Sequence, residues 1–184
     1  MNHPPSVPAH TIRYFGPGAH CPDAQPADLI LVATDDLPAK VICFGERLRC
    51  HGEDKVFAKV NHAMTSLGDG TVVQMIGGGG VITALATYRH LSYAVVHTTA
   101  TDAQRSTAVI VACWYVGIEY GFPSAASDAL YLLTGLPIAL TIGQSVVCSA
   151  MATATQRPLG LIPSKPDISV LPSDLAQWYD VRLP

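Results

Sequence analysis

A histidine and a cysteine in contrasting local settings are the residues of this chain best suited to chemistry. His62 lies in Val-Asn-His-Ala-Met-Thr-Ser-Leu-Gly-Asp-Gly, the pattern of a strand running into a tight turn. Cys148 lies in Gly-Gln-Ser-Val-Val-Cys-Ser-Ala-Met-Ala, the pattern of an apolar, small-residue helix in its first turns. At neutral pH a thiol needs a base to become thiolate and a helix N-terminus to hold the charge. Ser145 can cap the helix, which puts Cys148 in the first turn, where free N–H groups and the helix dipole lower a thiol's pKa. The small neighbours Ser149, Ala150 and Ala152 let a substrate or a strand approach closely. The competing roles are plain ones: a buried, inert thiol and a satisfied strand histidine.

A base on a rigid strand also needs a partner that holds the imidazole in one tautomer. In a hairpin centred on Asp69, His62 faces Ile76, and Gln74 is its diagonal neighbour on the same face, within reach of a long side chain. The Gln74 amide oxygen can orient the ring without carrying charge. Gln74 could equally be a polar residue at a strand end.

The elements that must position these groups follow from the pattern of apolar residues. Residues 1–25 are rich in Pro and His, lack a period, and read as an irregular N-terminal arm. Residues 26–184 read as a single domain. Asp28-Leu-Ile-Leu-Val-Ala-Thr is a short apolar run expected as a buried strand, with a second strand at Lys40 to Phe44. Residues 45–59 read as loop or short helix. Val60 to Leu67 and Thr71 to Ile76 read as strands joined by Gly68-Asp69-Gly70. The four glycines at 77–80 should end the second strand. They are not a phosphate loop, because no Lys-Ser/Thr follows. A turn and short helix are expected over Val81 to His90, then a strand from Ser92 to Thr98. Thr101 or Asp102 can cap a helix running to about Ile118 and stopping near Gly121. Pro123 can open another, to Leu133. The Cys148 helix should end before Pro158, and a last short helix begins at Pro172. Strands first and helices after predict an α+β fold, an antiparallel sheet with helices on one side.

Composition limits the partners. The chain has 184 residues, 49% of them hydrophobic and only 14% charged, with a net charge of −3, so a basic surface for nucleic acid is not expected. The longest apolar stretch, Leu130 to Val147, is broken by Gly135, Pro137, Gly143 and Gln144, which argues against an integral membrane segment. The first residues lack the basic start and apolar run of a signal peptide, so a cytoplasmic location is expected, with release by lysis or phage delivery as the route outward. Five irregularly spaced cysteines, Cys21, Cys43, Cys50, Cys113 and Cys148, argue for free thiols rather than a disulfide framework. Neither Cys43, Cys50, His51 and His62 nor His10, His20 and Cys21 match a zinc spacing, so no metal and no cofactor are expected.

Taken in order along the chain, these motifs resemble the circularly permuted branch of the NlpC/P60 (papain-like) superfamily, the group that includes the YiiX/YaeF-like amidases. The likeness runs from about Pro26 to Trp178. Pro26-Ala-Asp-Leu-Ile-Leu is similar to that family's opening strand. Asn61-His62-Ala63 with Gly68-Asp69-Gly70 resembles its histidine strand and turn. Val72-Val73-Gln74-Met75 resembles the segment carrying its third polar residue, commonly Glu. Tyr120-Gly-Phe-Pro with Asp128-Ala-Leu-Tyr-Leu-Leu-Thr-Gly resembles the stretch before the nucleophile. Val147-Cys148-Ser149 resembles the nucleophile motif, and Leu171-Pro-Ser-Asp-Leu-Ala its closing segment.

The resemblance implies a permuted papain-like fold with Cys148 as nucleophile, His62 as base and Gln74 as orienter. The expected activity is hydrolysis of an amide, or of an ester or thioester, through an acyl-enzyme. The Cys148 backbone N–H would hold the oxyanion, with Tyr120 as a candidate second donor and Ser149 beside it in the substrate cleft. Small peptides, peptidoglycan peptides and acyl-lipid amides are the candidate substrates, and acyl transfer to an amine is a third possibility. Two departures stand out: Gln74 replaces an acid, and Ala150 follows Cys148-Ser149 where relatives often carry Glu. The alternative is a binding or structural module on the same fold, catalytically weak or inactive.

Overall fold

The computed structural model describes residues 4–35, 52–119 and 147–184. Their strands are β1 (His10–Phe15), β2 (Leu29–Val32), β3 (His62–Ser66), β4 (Thr71–Ile76), β5 (Gly79–Ala84) and β6 (Tyr93–Thr98). They form one sheet in the order β1-β6-β2-β3-β4-β5, with every neighbouring pair antiparallel. Among the described residues three α-helices accompany the sheet: α1 (Asp102–Trp114), α2 (Cys148–Gln156) and α3 (Pro172–Trp178). The fold is α+β, with an open antiparallel sheet, as the order of elements predicts.

β2 is an unbroken apolar run because it is central and covered on both faces. Leu29 and Leu31 point into a core shared with Ala63, Ala94, Val96 and the residues Leu175, Ala176, Tyr179, Val181 and Leu183 of α3 and the tail. Ile30 and Val32 point the other way, toward Cys21, Met64, Val72, Leu85, Tyr93 and Val95. α2 packs on β3 and β4. Its small side chains allow the close approach, and Thr65 on β3 meets Thr155 on α2 through a 2.8 Å hydroxyl contact.

Residues 1–25, read as an irregular arm, contribute strand β1. It is registered on β6 from His10↔Thr98 to Phe15↔Tyr93. Its exposed and half-buried alternation belongs to an edge strand, and an edge gives too weak an apolar pattern to be seen without its partner. The segment expected as a turn and helix after the glycines is instead β5, followed by a 3-10 turn at Leu85–Tyr88. The glycines therefore end β4 and make the β4–β5 hairpin. Gly80 is required by close approach: a Cβ there would lie 1.8 Å from the Tyr115 carbonyl oxygen. Backbone bonds from Gly80 N–H to Ile118 O and from Gly117 N–H to Gly80 O, both 2.8 Å, fasten the chain after α1 to this hairpin. That contact, with Gly117 at φ +83°, ends the helix at Trp114, ahead of the expected Ile118. The strand expected at Lys40 to Phe44 and the helix expected from Pro123 lie outside the described residues.

α1 starts where the sequence places it. Thr101 is the N-cap and forms a reciprocal capping box with Gln104. From this helix the buried Arg105 reaches into the sheet. Its Nη1 donates to Pro26 O at 2.7 Å and to Asp28 Oδ1 at 3.2 Å, and its Nη2 donates to Thr98 O. Asp28 is fully buried and also accepts from His97 Nδ1 and from Gln25 N–H, each at 2.9 Å. Removing one member of a buried ion pair strands the other without hydration. Arg105→Met should therefore cost about 3–5 kcal/mol, read as a lower urea midpoint at unchanged slope. Gly80→Ala should cost about 1–3 kcal/mol through overpacking, read as a lower Tm; an unaltered Tm would contradict the backbone contact with Tyr115.

Candidate active site

Cys148 is the first residue of α2, and the N-cap is Val147, not the Ser145 expected from sequence. Ser145 itself lies outside the described residues. Valine has no side-chain acceptor, so the N-cap residue itself makes no bond to the N–H groups at the helix start. The thiol takes part of that place: the Ser149 N–H and the Ala63 N–H of β3 both bond the sulfur.

The sulfur is buried, 4% exposed, within a cluster that includes Val73, Met75, Ala112 and Met151. Burial pushes its pKa up, because a thiolate loses hydration there. The charge of the His62 imidazole and a hydrogen bond from it work in the other direction, with help from the two N–H groups. The net result is a thiol below its ordinary value.

His62 opens β3, and the β3–β4 register pairs Met64 with Gln74, Thr65 with Val73 and Ser66 with Val72. This is the register of a hairpin centred on Asp69. Gly68 (φ +87°) turns the chain with its Cα face against Pro26, and Asp69 accepts from the Thr71 N–H at 2.9 Å. Gln74 is consequently diagonal to His62 on one face. Its Oε1 lies 2.8 Å from His62 Nε2. An amide oxygen only accepts, so Nε2 carries the proton of this bond and Nδ1 is the nitrogen left for the thiol.

The structure thus brings Cys148, His62 and Gln74 together from a helix start and two strands. Ser149 is placed otherwise than expected: its hydroxyl is buried and donates to Val170 O at 2.5 Å, so only its backbone N–H faces the sulfur. Tyr120 lies outside the described residues. Sequence reasoning missed Thr83 and Tyr88, which bond the Gln74 amide at its two ends. Reading Gly77-Gly78 as a hairpin turn would have found Thr83, since β4 and β5 pair Gln74 with Val81 and leave Thr83 as the diagonal neighbour. Among the described residues no group of three His, Cys, Asp or Glu side chains is arranged to hold a metal. None of the described helices is long and apolar enough to cross a membrane.

Comparison with protein-family models and with curated proteins gives no match to this chain.

The geometry dictates a pH profile for the thiol. A pKa lowered from 9.0 keeps Cys148 ionised, and hence alkylated quickly, below the pH at which an ordinary cysteine loses reactivity. The rate should fall only as pH drops through the lowered value. In His62→Ala the charge and hydrogen bond are gone while burial remains, so the midpoint should rise relative to wild type. Site-resolved iodoacetamide labelling against pH measures both.

Proposed function

We propose that this chain is a cysteine hydrolase that cleaves an amide bond, with esters and thioesters as chemically easier relatives of the same reaction. The observation that carries the reading is the Cys148 thiol at the start of α2, lowered in pKa by His62, whose far nitrogen is held by Gln74. The order of motifs, which resembles the permuted NlpC/P60 branch, supports the same conclusion.

In this mechanism the Cys148 sulfur attacks the acyl carbon and its proton resides on His62 Nδ1. The negative charge of the tetrahedral intermediate develops beside the helix start, where backbone N–H groups are not occupied by a capping side chain. His62 then gives the proton to the leaving amine, and the C–N bond breaks to leave a thioester on Cys148. A water molecule, deprotonated by the same nitrogen, releases the acid and restores the thiol. Gln74 keeps Nε2–H of the ring satisfied throughout, and it contributes orientation rather than charge.

Small peptides, peptidoglycan peptides and acyl-lipid amides remain the substrate classes for the first screen. A cytoplasmic site of action accompanies the reading; the free thiols at Cys21, Cys113 and Cys148 are in keeping with it. The deciding experiment is intact-mass trapping of the acyl-enzyme with activated esters and amides. Wild type should gain one acyl group at Cys148, Cys148→Ala none, and His62→Ala should acylate about 10²- to 10⁴-fold more slowly. An inert wild-type thiol would assign the chain to a binding module instead.

A further inference from the structure

The Gln74 amide has an acceptor end and a donor end of nearly the same shape, and only one orientation suits the chemistry. With Oε1 toward His62, Nε2 keeps its proton. Both working forms of the ring, the neutral base with Nδ1 free and the imidazolium after proton transfer, carry that proton. With the amide turned round, its N–H would face Nε2. The neutral ring would then place its proton on Nδ1 against the thiol, and the imidazolium would meet donor with donor.

His62 cannot enforce the choice, because a neutral imidazole can change tautomer to suit either end. Thr83 cannot enforce it either: its hydroxyl oxygen accepts from Gln74 Nε2 at 3.0 Å, but a hydroxyl can also donate. Tyr88 is different. Its phenol, far more acidic than an alkyl hydroxyl, favours donation, and it donates to the same Gln74 Oε1 at 2.5 Å. Its ring also lies 6.3 Å from the His62 ring at 28°.

We propose that Tyr88 is a positioning residue that selects the Gln74 orientation in which Oε1 faces His62, and so keeps Nδ1 available to Cys148. The inference rests on the hydrolase reading above. It accounts for how a neutral glutamine can serve where a carboxylate is the common choice. A carboxylate accepts through either oxygen and needs no neighbour to orient it. An amide does.

That difference supplies the test. Cys148 labelling by iodoacetamide is followed against pH in the full chain for wild type, Tyr88→Phe, Gln74→Glu and the double variant, with His62→Ala as reference. Tyr88→Phe should raise the labelling midpoint and slow labelling at pH 7 by about 3- to 10-fold, the worth of one hydrogen bond. In the Gln74→Glu background the same change should alter the rate by less than about 2-fold, the non-additivity expected of residues acting through one group. Equal losses in both backgrounds, or none in either, would overturn the proposal, because a merely packed tyrosine cannot distinguish amide from carboxylate. Should Tyr88→Phe lower stability, the ¹⁵N shifts of the His62 ring give a second readout at a temperature where the variant is folded. Tyr88→Phe should reduce the share of Nε2–H, and an unchanged ring would overturn the proposal. Fast, His62-dependent labelling with a silent Tyr88 defeats this inference alone. Slow labelling indifferent to His62→Ala defeats the hydrolase reading and this inference with it.

Discussion

A thiol carried out of water can hold a negative charge only if something replaces its lost hydration, and here the His62 imidazole supplies most of that replacement. The Cys148 sulfur sits almost fully buried, yet its pKa is lowered because imidazole charge, a hydrogen bond and two backbone N–H groups outweigh desolvation. The rest of the described structure can be understood as the means of bringing the imidazole and these two N–H groups to the sulfur. The imidazole and the Ala63 N–H come from β3, far from Cys148 in sequence, so neither acts on the sulfur until the sheet and α2 have docked.

Two kinds of constraint do the docking. The first is register. The turn at Gly68-Asp69-Gly70 pairs Met64 with Gln74, and a slip of one residue would send Gln74 to the opposite face from His62. The second is close approach. Small residues along α2 bring the helix onto β3 and β4, and a glycine at 80 lets the chain after α1 lie backbone to backbone on the β4–β5 hairpin. Behind these, the buried Arg105–Asp28 pair joins α1 to the entry of β2. A buried pair of this kind adds little net stability over apolar packing but strongly penalises any arrangement that separates the two charges.

Much of the site was legible in the chain. The hairpin centre at Asp69 fixes by counting which residue lies diagonal to His62, and Gln74 is found there. Thr101 with Gln104 announces the start of α1, and the small-residue run after Cys148 announces α2. What was not legible has physical causes. β1 is an edge strand with a mixed face, so its pattern is that of a loop until β6 is beside it. The glycines at 77–80 give no side-chain period at all, and their purpose depends on the Tyr115 carbonyl, which only tertiary packing brings near. The true cap of α2 is the apolar Val147, which propensity rules pass over because they reward side chains that can accept a hydrogen bond.

Local terms can be read directly from the chain: which residues could ionise or accept a proton, where the chain turns, and which strand face carries His62 and Gln74. Such terms act over a few residues, and their periods of two and 3.6 survive in the one-dimensional string. The long-range terms emerge with packing: the thiol is buried yet lowered in pKa, Ser149 gives its hydroxyl to Val170, and Tyr88 and Thr83 hold the Gln74 amide from either end. Those outcomes depend on desolvation and on hydrogen-bond partners brought together by packing, and neither has a period that a sequence can display.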